Sequence, residues 1–186
     1  MNRQEAIHLL KEWTKSESLL LHAAVVENSM RHYARFFNEN EEEFAITGLL
    51  HDMDYEKYPT EENHPYRGVE FLKEKGLDEK ICNAILGHAD YTNTPRDTQL
   101  AKTLFAVDEL SGFITAVCYV TFPGKPKVKS VNKKLKDKSF AAKVNREEIL
   151  KGIEELGIDK NEHIERVIEA VWEVFEPYKQ SGSLQF

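Results

Sequence analysis

Apolar residues recur at three- and four-residue spacing along most of this chain, the pattern of helices that each bury one face. Ala6, Leu9, Leu10 and Trp13 mark a helix over 3–14. A second, over about 18–38, carries Leu19, Val25, Val26, Met30, Tyr33 and Phe37 on its apolar side, with Ser16 or Ser18 as cap. A third covers 41–52 and is apolar from Phe44 to Leu50. The polar run 55–63 holds Pro59 and reads as a loop. Helices over 66–75, stopped by Gly76, and 78–88, capped by Asp78, follow. A loop over 89–96 with Thr94-Pro95 leads to a long helix, capped by Asp97, that runs to about residue 120. Phe122-Pro123-Gly124 breaks the pattern, and 131–135 and 140–144 read as short helical turns. Helices over 147–156, stopped by Gly157, and 161–176, capped by Asn161, come last, before a loose tail at 181–186. Valine and isoleucine keep helical spacing and never alternate as in a strand, so the expected fold is all-α.

The chain has 186 residues, enough for one domain with a sizeable core: a metal-binding core over about 18–120, a connector over 121–145 and C-terminal helices over 146–178. Apolar content of 41% and charged content of 31% are ordinary for a soluble protein. No uninterrupted apolar run approaches the roughly 20 residues of a membrane span. The first residues lack the apolar block of a secretion signal. Cys82 and Cys118 have no zinc-site spacing and read as reduced core thiols. Together these features lead us to expect a cytoplasmic protein with no membrane partner.

The net charge of −7 argues against nucleic acid as a partner, but the charge is uneven. Residues 125–146 hold nine basic residues and one acid, a net +8 that leaves −15 on the rest. That basic segment either covers a site and attracts a polyanion or is a solvated connector.

Candidate chemistry centres on Gly48-Leu49-Leu50-His51-Asp52, an apolar helix that ends in a histidine and a carboxylate. His22 stands among Leu19, Leu20, Leu21, Ala23 and Ala24, and Asp108 stands mid-helix within Leu104-Phe105-Ala106-Val107 and Leu110. An ionised carboxylate there needs a cation, a hydrogen-bond network or a route to water. A metal shared with His22, His51 and Asp52 meets that need, since imidazole and carboxylate both bind first-row divalent ions.

This ordered set resembles the HD superfamily of metal-dependent phosphohydrolases over residues 22–108. The resemblance implies an HD-domain helical bundle with additional C-terminal helices. It also implies a divalent transition metal (Fe or Mn, or Co, Ni or Zn) on His22, His51, Asp52 and Asp108. His64 and His88 extend the likeness to HD proteins with two metals, such as the HD-GYP phosphodiesterases and the HD-type diadenosine tetraphosphate hydrolases. By that likeness Asp52 bridges, and His64 and His88 hold the second ion. The Gly-Tyr-Pro signature and its additional adjacent histidine are missing, which argues against cyclic-dinucleotide hydrolysis.

The activity so implied is hydrolysis of a small phosphorylated compound, a nucleotide being the plausible case, by a metal-activated water. Asp52, Asp54 and Lys57 are the expected catalytic residues, with Glu56 and Asp90 as further acids. Lys57, Arg67 and Arg96 are the expected phosphate contacts. Two other activities fit the resemblance: an HD-type di-iron oxygenase like myo-inositol oxygenase, and a non-catalytic nucleotide-binding module. His8, His32 and His163 match no motif and read as surface residues. The C-terminal helices either complete the bundle or form a homodimer contact, depending on whether Trp172 and Phe175 are buried.

Overall fold

The computed structural model describes residues 1–186. It is all-helical: α1 Arg3–Trp13, α2 Glu17–Phe37, α3 Glu41–Leu50, α4 Tyr66–Glu74, α5 Glu79–Gly87, α6 Gln99–Thr121, α7 Val128–Leu135, α8 Arg146–Leu156 and α9 Lys160–Ser181, with a short 3-10 turn at Asp90–Thr92. The two longest central helices, α2 and α6, pack on each other and organise the rest. α3 and α9 lie against α2, while α5, α8 and α9 lie against α6. One continuous apolar core runs from Ala6 to Phe175 and draws on every helix from α1 to α9.

Side chains set most helix starts. Asn2 and Glu5 form a capping box on α1. The Asn40 carboxamide accepts from the amides of Glu42 and Glu43, and Asp78 accepts from that of Lys80. Two starts differ from the sequence expectation by one or two residues. Thr98, not Asp97, accepts from the Ala101 amide to cap α6, and Asp159, not Asn161, caps α9. In each case the capping residue is the one with extended or non-helical backbone just before the first turn.

α3 meets α2 at very close range. A methyl group placed on Gly48 would lie 2.8 Å from Cγ of Met30 and 3.1 Å from the Glu27 backbone. Only glycine lets the two helices approach so closely, one turn before His51.

α6 is the one helix with the length and hydropathy of a membrane span, and most of it is buried inside the bundle. A search for uninterrupted apolar runs passes over it because Asp108 and Glu109 stand in its middle. Trp172 and Phe175 are buried beside Phe122, so α9 completes the bundle with them. α9 also continues past the expected end at 176, through Pro177 to Ser181. The tail beyond it is not loose: Leu184 and Phe186 rest half-buried on the core, and the Lys11 ammonium sits 4.7 Å from the Phe186 ring centroid.

Candidate metal centre

Five segments deliver six ligand-type side chains to one point. His22 comes from the second turn of α2 and Asp108 from the middle of α6. His51 and Asp52 follow the last turn of α3, His64 precedes α4, and His88 caps the C-terminus of α5. His51, His64 and His88 are buried, and His22, Asp52 and Asp108 are half-buried.

The donor atoms fall into two groups that share Asp52. In the first, His22 Nε2 is 2.9 Å and His51 Nε2 3.3 Å from Asp108 Oδ1. Asp52 turns Oδ2 to this group, 3.8 Å from His22 Nε2 and 3.6 Å from His51 Nε2. It turns Oδ1 to the second group, 3.3 Å from His64 Nε2 and 3.4 Å from His88 Nε2.

The back of each buried ring is fixed. His51 Nδ1–H donates to the Gly48 carbonyl at 2.7 Å, and His88 Nδ1–H donates to the Ile85 carbonyl at 2.5 Å. His64 Nδ1–H donates to Asp54 Oδ1 at 2.7 Å. Holding the proton on Nδ1 turns the Nε2 lone pair inward, which is how metal-binding histidines are oriented. His51 Nε2 is fully buried and makes no hydrogen bond of acceptable geometry to any group of the chain. A buried ring nitrogen aimed at a carboxylate cluster without a hydrogen-bond partner is costly in the bare protein.

Electrostatics point the same way. Burial works against charge on His51, but Asp52 and Asp108 override it and hold its pKa at about 9. Burial likewise opposes ionisation of Asp52 and Asp108. The facing histidines nevertheless keep both carboxyls well below the usual range, His51 leading in each case. The cluster thus demands positive charge at its centre. Four imidazoles and two carboxylates, spaced 2.9–3.8 Å across the centre, suit divalent ions held at about 2.1 Å from each donor. The residues present therefore fit the metal that the sequence suggests.

His22, Asp52, His64, His88 and Asp108 line a cavity of about 350 Å³ together with Tyr55, Tyr91, Glu109, Glu148 and Lys143, while His51 lies buried beneath it. Burial, followed by the charge of Asp108, pushes the Glu109 carboxyl up to about 8.

Several expected site residues lie elsewhere. Asp54 is buried behind His64, where Oδ1 holds that ring and Oδ2 accepts from the Gly68 amide at 2.7 Å. Neither oxygen is free to reach a substrate. A methyl group on Gly68 would come within 3.0 Å of the Asp54 carboxyl, so the glycine makes room for this contact. Lys57 points away from the cavity and lies over the Trp13 ring, 4.2 Å from its centroid. Arg67 is exposed and pairs with Glu70. Arg96 is clamped by Glu155 at 2.7 Å, by Asp90 at 2.9 Å and by the Gly87 carbonyl at 2.8 Å. Asp90 also pairs with Lys151, and Glu56 accepts from the amides of Lys15 and Ser16 at the start of α2. These residues neighbour His51, His64 or His88 in sequence, but the turns of the chain carry them away from the cavity.

The unmatched histidines also divide. His8 is exposed and His32 pairs with Glu173, but His163 is fully buried, contrary to the surface position expected for it. Conversely, the sequence reading did not single out Tyr55, Tyr91, Glu109, Lys143 or Glu148 as lining the site. Glu109 had a usable signal, its place beside Asp108. Lys143 had none beyond membership of the basic segment.

The family model described as HD domain matches residues 19–112, which contain all six ligand-type residues. Comparison with curated proteins and with solved structures gives no match. The match takes in half of the chain, from the start of α2 to the middle of α6, and the chain belongs to the HD domain family.

Proposed function

We propose that this chain is a metal-dependent phosphohydrolase acting on a small phosphorylated compound, a nucleotide being the plausible case, in the cytoplasm. The observation that carries the reading is Asp52, whose two oxygens face two separate histidine groups 3.3–3.8 Å away. His22, His51 and Asp108 would hold one ion, His64 and His88 the other, and Asp52 would span both. Bound divalent ions supply Lewis acidity toward phosphoryl oxygens and toward water.

The chain's own residues do the rest. The Gly48 and Ile85 carbonyls and the Asp54 carboxylate lock three rings, so the donors need little rearrangement on binding. The rim admits a compact ligand and shields it on the α6 and α8 sides through Glu109 and Glu148. Tyr91 is anchored by its hydroxyl, which donates to the His64 carbonyl at 2.9 Å, and Tyr55 packs edge-on to the His64 ring. Their exposed faces support a nucleotide substrate, because a base can stack on them.

The test is elemental analysis of the wild type and an Asp52→Ala variant, followed by a screen of phosphate esters and nucleotides with each candidate metal. About two ions per chain, lost in the variant together with metal-dependent release of phosphate, is the expected result. Oxygen uptake in place of phosphate release would assign the same residues to a di-iron oxygenase. A wild type that binds no metal after reconstitution would leave a binding module.

A further inference from the structure

The basic segment contains a loop built with unusual care. Between α7 and α8 the chain has no regular structure, yet the Arg146 guanidinium gathers it around itself. It donates to the carbonyls of Leu135 at 3.2 Å, Asp137 at 3.0 Å, Ala141 at 3.3 Å and Val144 at 3.1 Å, and also to that of Phe140. Phe140 packs edge-on to the buried Phe113 ring at 5.6 Å, and Arg146 lies over the same ring at 5.3 Å. The Asn145 amide donates to Glu109 Oε2 at 3.0 Å, which ties the end of the loop to α6 one residue from Asp108. Ala141 adopts a left-handed backbone, φ +44°, a conformation that a non-glycine residue keeps only when its surroundings impose it.

This loop brings Lys143 to the cavity. Of the 13 residues that line it, Lys143 is the only lysine or arginine. Its ammonium makes no ion pair, hydrogen bond or ring contact within the chain. Exposed lysines elsewhere in the segment, such as Lys138, are equally unpaired; what distinguishes Lys143 is its place at the cavity. An exposed lysine at a cavity lined with carboxyls, joined to none of them, is a cation available to an incoming anion.

We infer that Lys143, presented by the Arg146-clasped loop, contacts a phosphoryl oxygen of the substrate and is the chain's own phosphate-recognition residue. The inference rests on the phosphohydrolase reading and deepens it by naming the residue that meets the phosphoryl group of the ligand. Residues 125–146 then have a division of labour, with Arg146 holding the loop and Lys143 touching the ligand.

The test is a calorimetric titration of metal-loaded protein with inorganic phosphate, with metal content measured in each form. Lys143→Gln should keep its metal and bind phosphate about tenfold or more weakly, the size of a lost charge-assisted hydrogen bond. Lys143→Arg should restore most of the affinity. Lys57→Gln, which removes a charge outside the cavity, should match the wild type. Equal phosphate affinity in the wild type and Lys143→Gln would overturn the inference while leaving the phosphohydrolase reading intact. A metal-loaded wild type that binds no phosphate would overturn both.

Discussion

Asp54 lies directly behind His64, its Oδ1 accepting the ring Nδ1–H at 2.7 Å while Oδ2 accepts from the Gly68 amide. The carboxylate two residues past the His51-Asp52 pair therefore aims a ligand-type ring instead of meeting the substrate. Asp54→Asn keeps the shape and removes the charge. Metal titration of this variant should show about 10–100-fold weaker binding on the His64 and His88 side. Binding at His22, His51 and Asp108 should remain. Unchanged metal affinity with lost turnover would return Asp54 to a direct catalytic role.

His163 gives the fold a pH dependence that owes nothing to the metal centre. It is fully buried, with Nε2–H donating to the Ala106 carbonyl at 3.0 Å and Nδ1 accepting from the Tyr33 hydroxyl at 2.5 Å. Burial, reinforced by Arg166, pushes its pKa down to about 4 although the Ala106 bond works the other way. The unfolded chain, with a histidine pKa near 6.5, therefore takes up a proton that the folded chain refuses. The His163 contribution to stability should be complete above pH 6.5 and shrink by roughly 3 kcal/mol as pH drops from about 6.5 to about 4. Denaturant midpoints across that range should fall more steeply with acid in the wild type than in His163→Gln, the difference being the part due to His163.

Gly48→Ala tests the close approach of α3 to α2. The added methyl would meet Met30, which can swing, and the Glu27 backbone, which cannot. The expected cost is about 1–3 kcal/mol. Thermal unfolding should register it as a drop of roughly 2–10 °C.

Lys57 and Arg67 carry the opposite prediction. Both sit on the outside of the molecule, Lys57 on Trp13 and Arg67 beside Glu70. Lys57→Ala and Arg67→Ala should each leave KM for a phosphorylated substrate within about twofold, the effect of an ordinary surface change. A tenfold rise in KM for Lys57→Ala would mean that the loop over 55–63 moves onto the cavity when substrate binds, and one for Arg67→Ala that the start of α4 does.

The helices were legible because burial imposes a period on the sequence, and the match between expected and observed elements is close from α1 to α6. His22, His51, Asp52 and Asp108 stood out for a related reason, whereas His64 and His88 entered only through the likeness to two-metal HD proteins. A histidine among leucines or an aspartate among core residues, as at His22 and Asp108, breaks the apolar pattern and asks for a partner. The same logic fails at His163, where a polar residue on an apolar face serves two hydrogen bonds inside the bundle. It fails again at Lys143, because the path of its loop is set by five carbonyls that converge on Arg146 and leave no period to read. Lys57, Arg67 and Arg96 show the reverse error, in which neighbours in sequence are carried apart by tight turns.

The bond from His163 to Ala106 also bears on how the molecule can be divided. It joins α9, which lies wholly outside residues 19–112, to the turn of α6 that carries Asp108. α8 covers α6 from another side, and the core shared by these helices includes Ile149, Ile164, Val167 and Phe175. A fragment cut at residue 112 would keep every ligand-type residue and lose what holds Asp108 in place. The edge of the family match is thus a boundary of resemblance and not a seam of cooperative folding. The six side chains all fall within the matched span, but the packing that positions Asp108 reaches into the C-terminal helices.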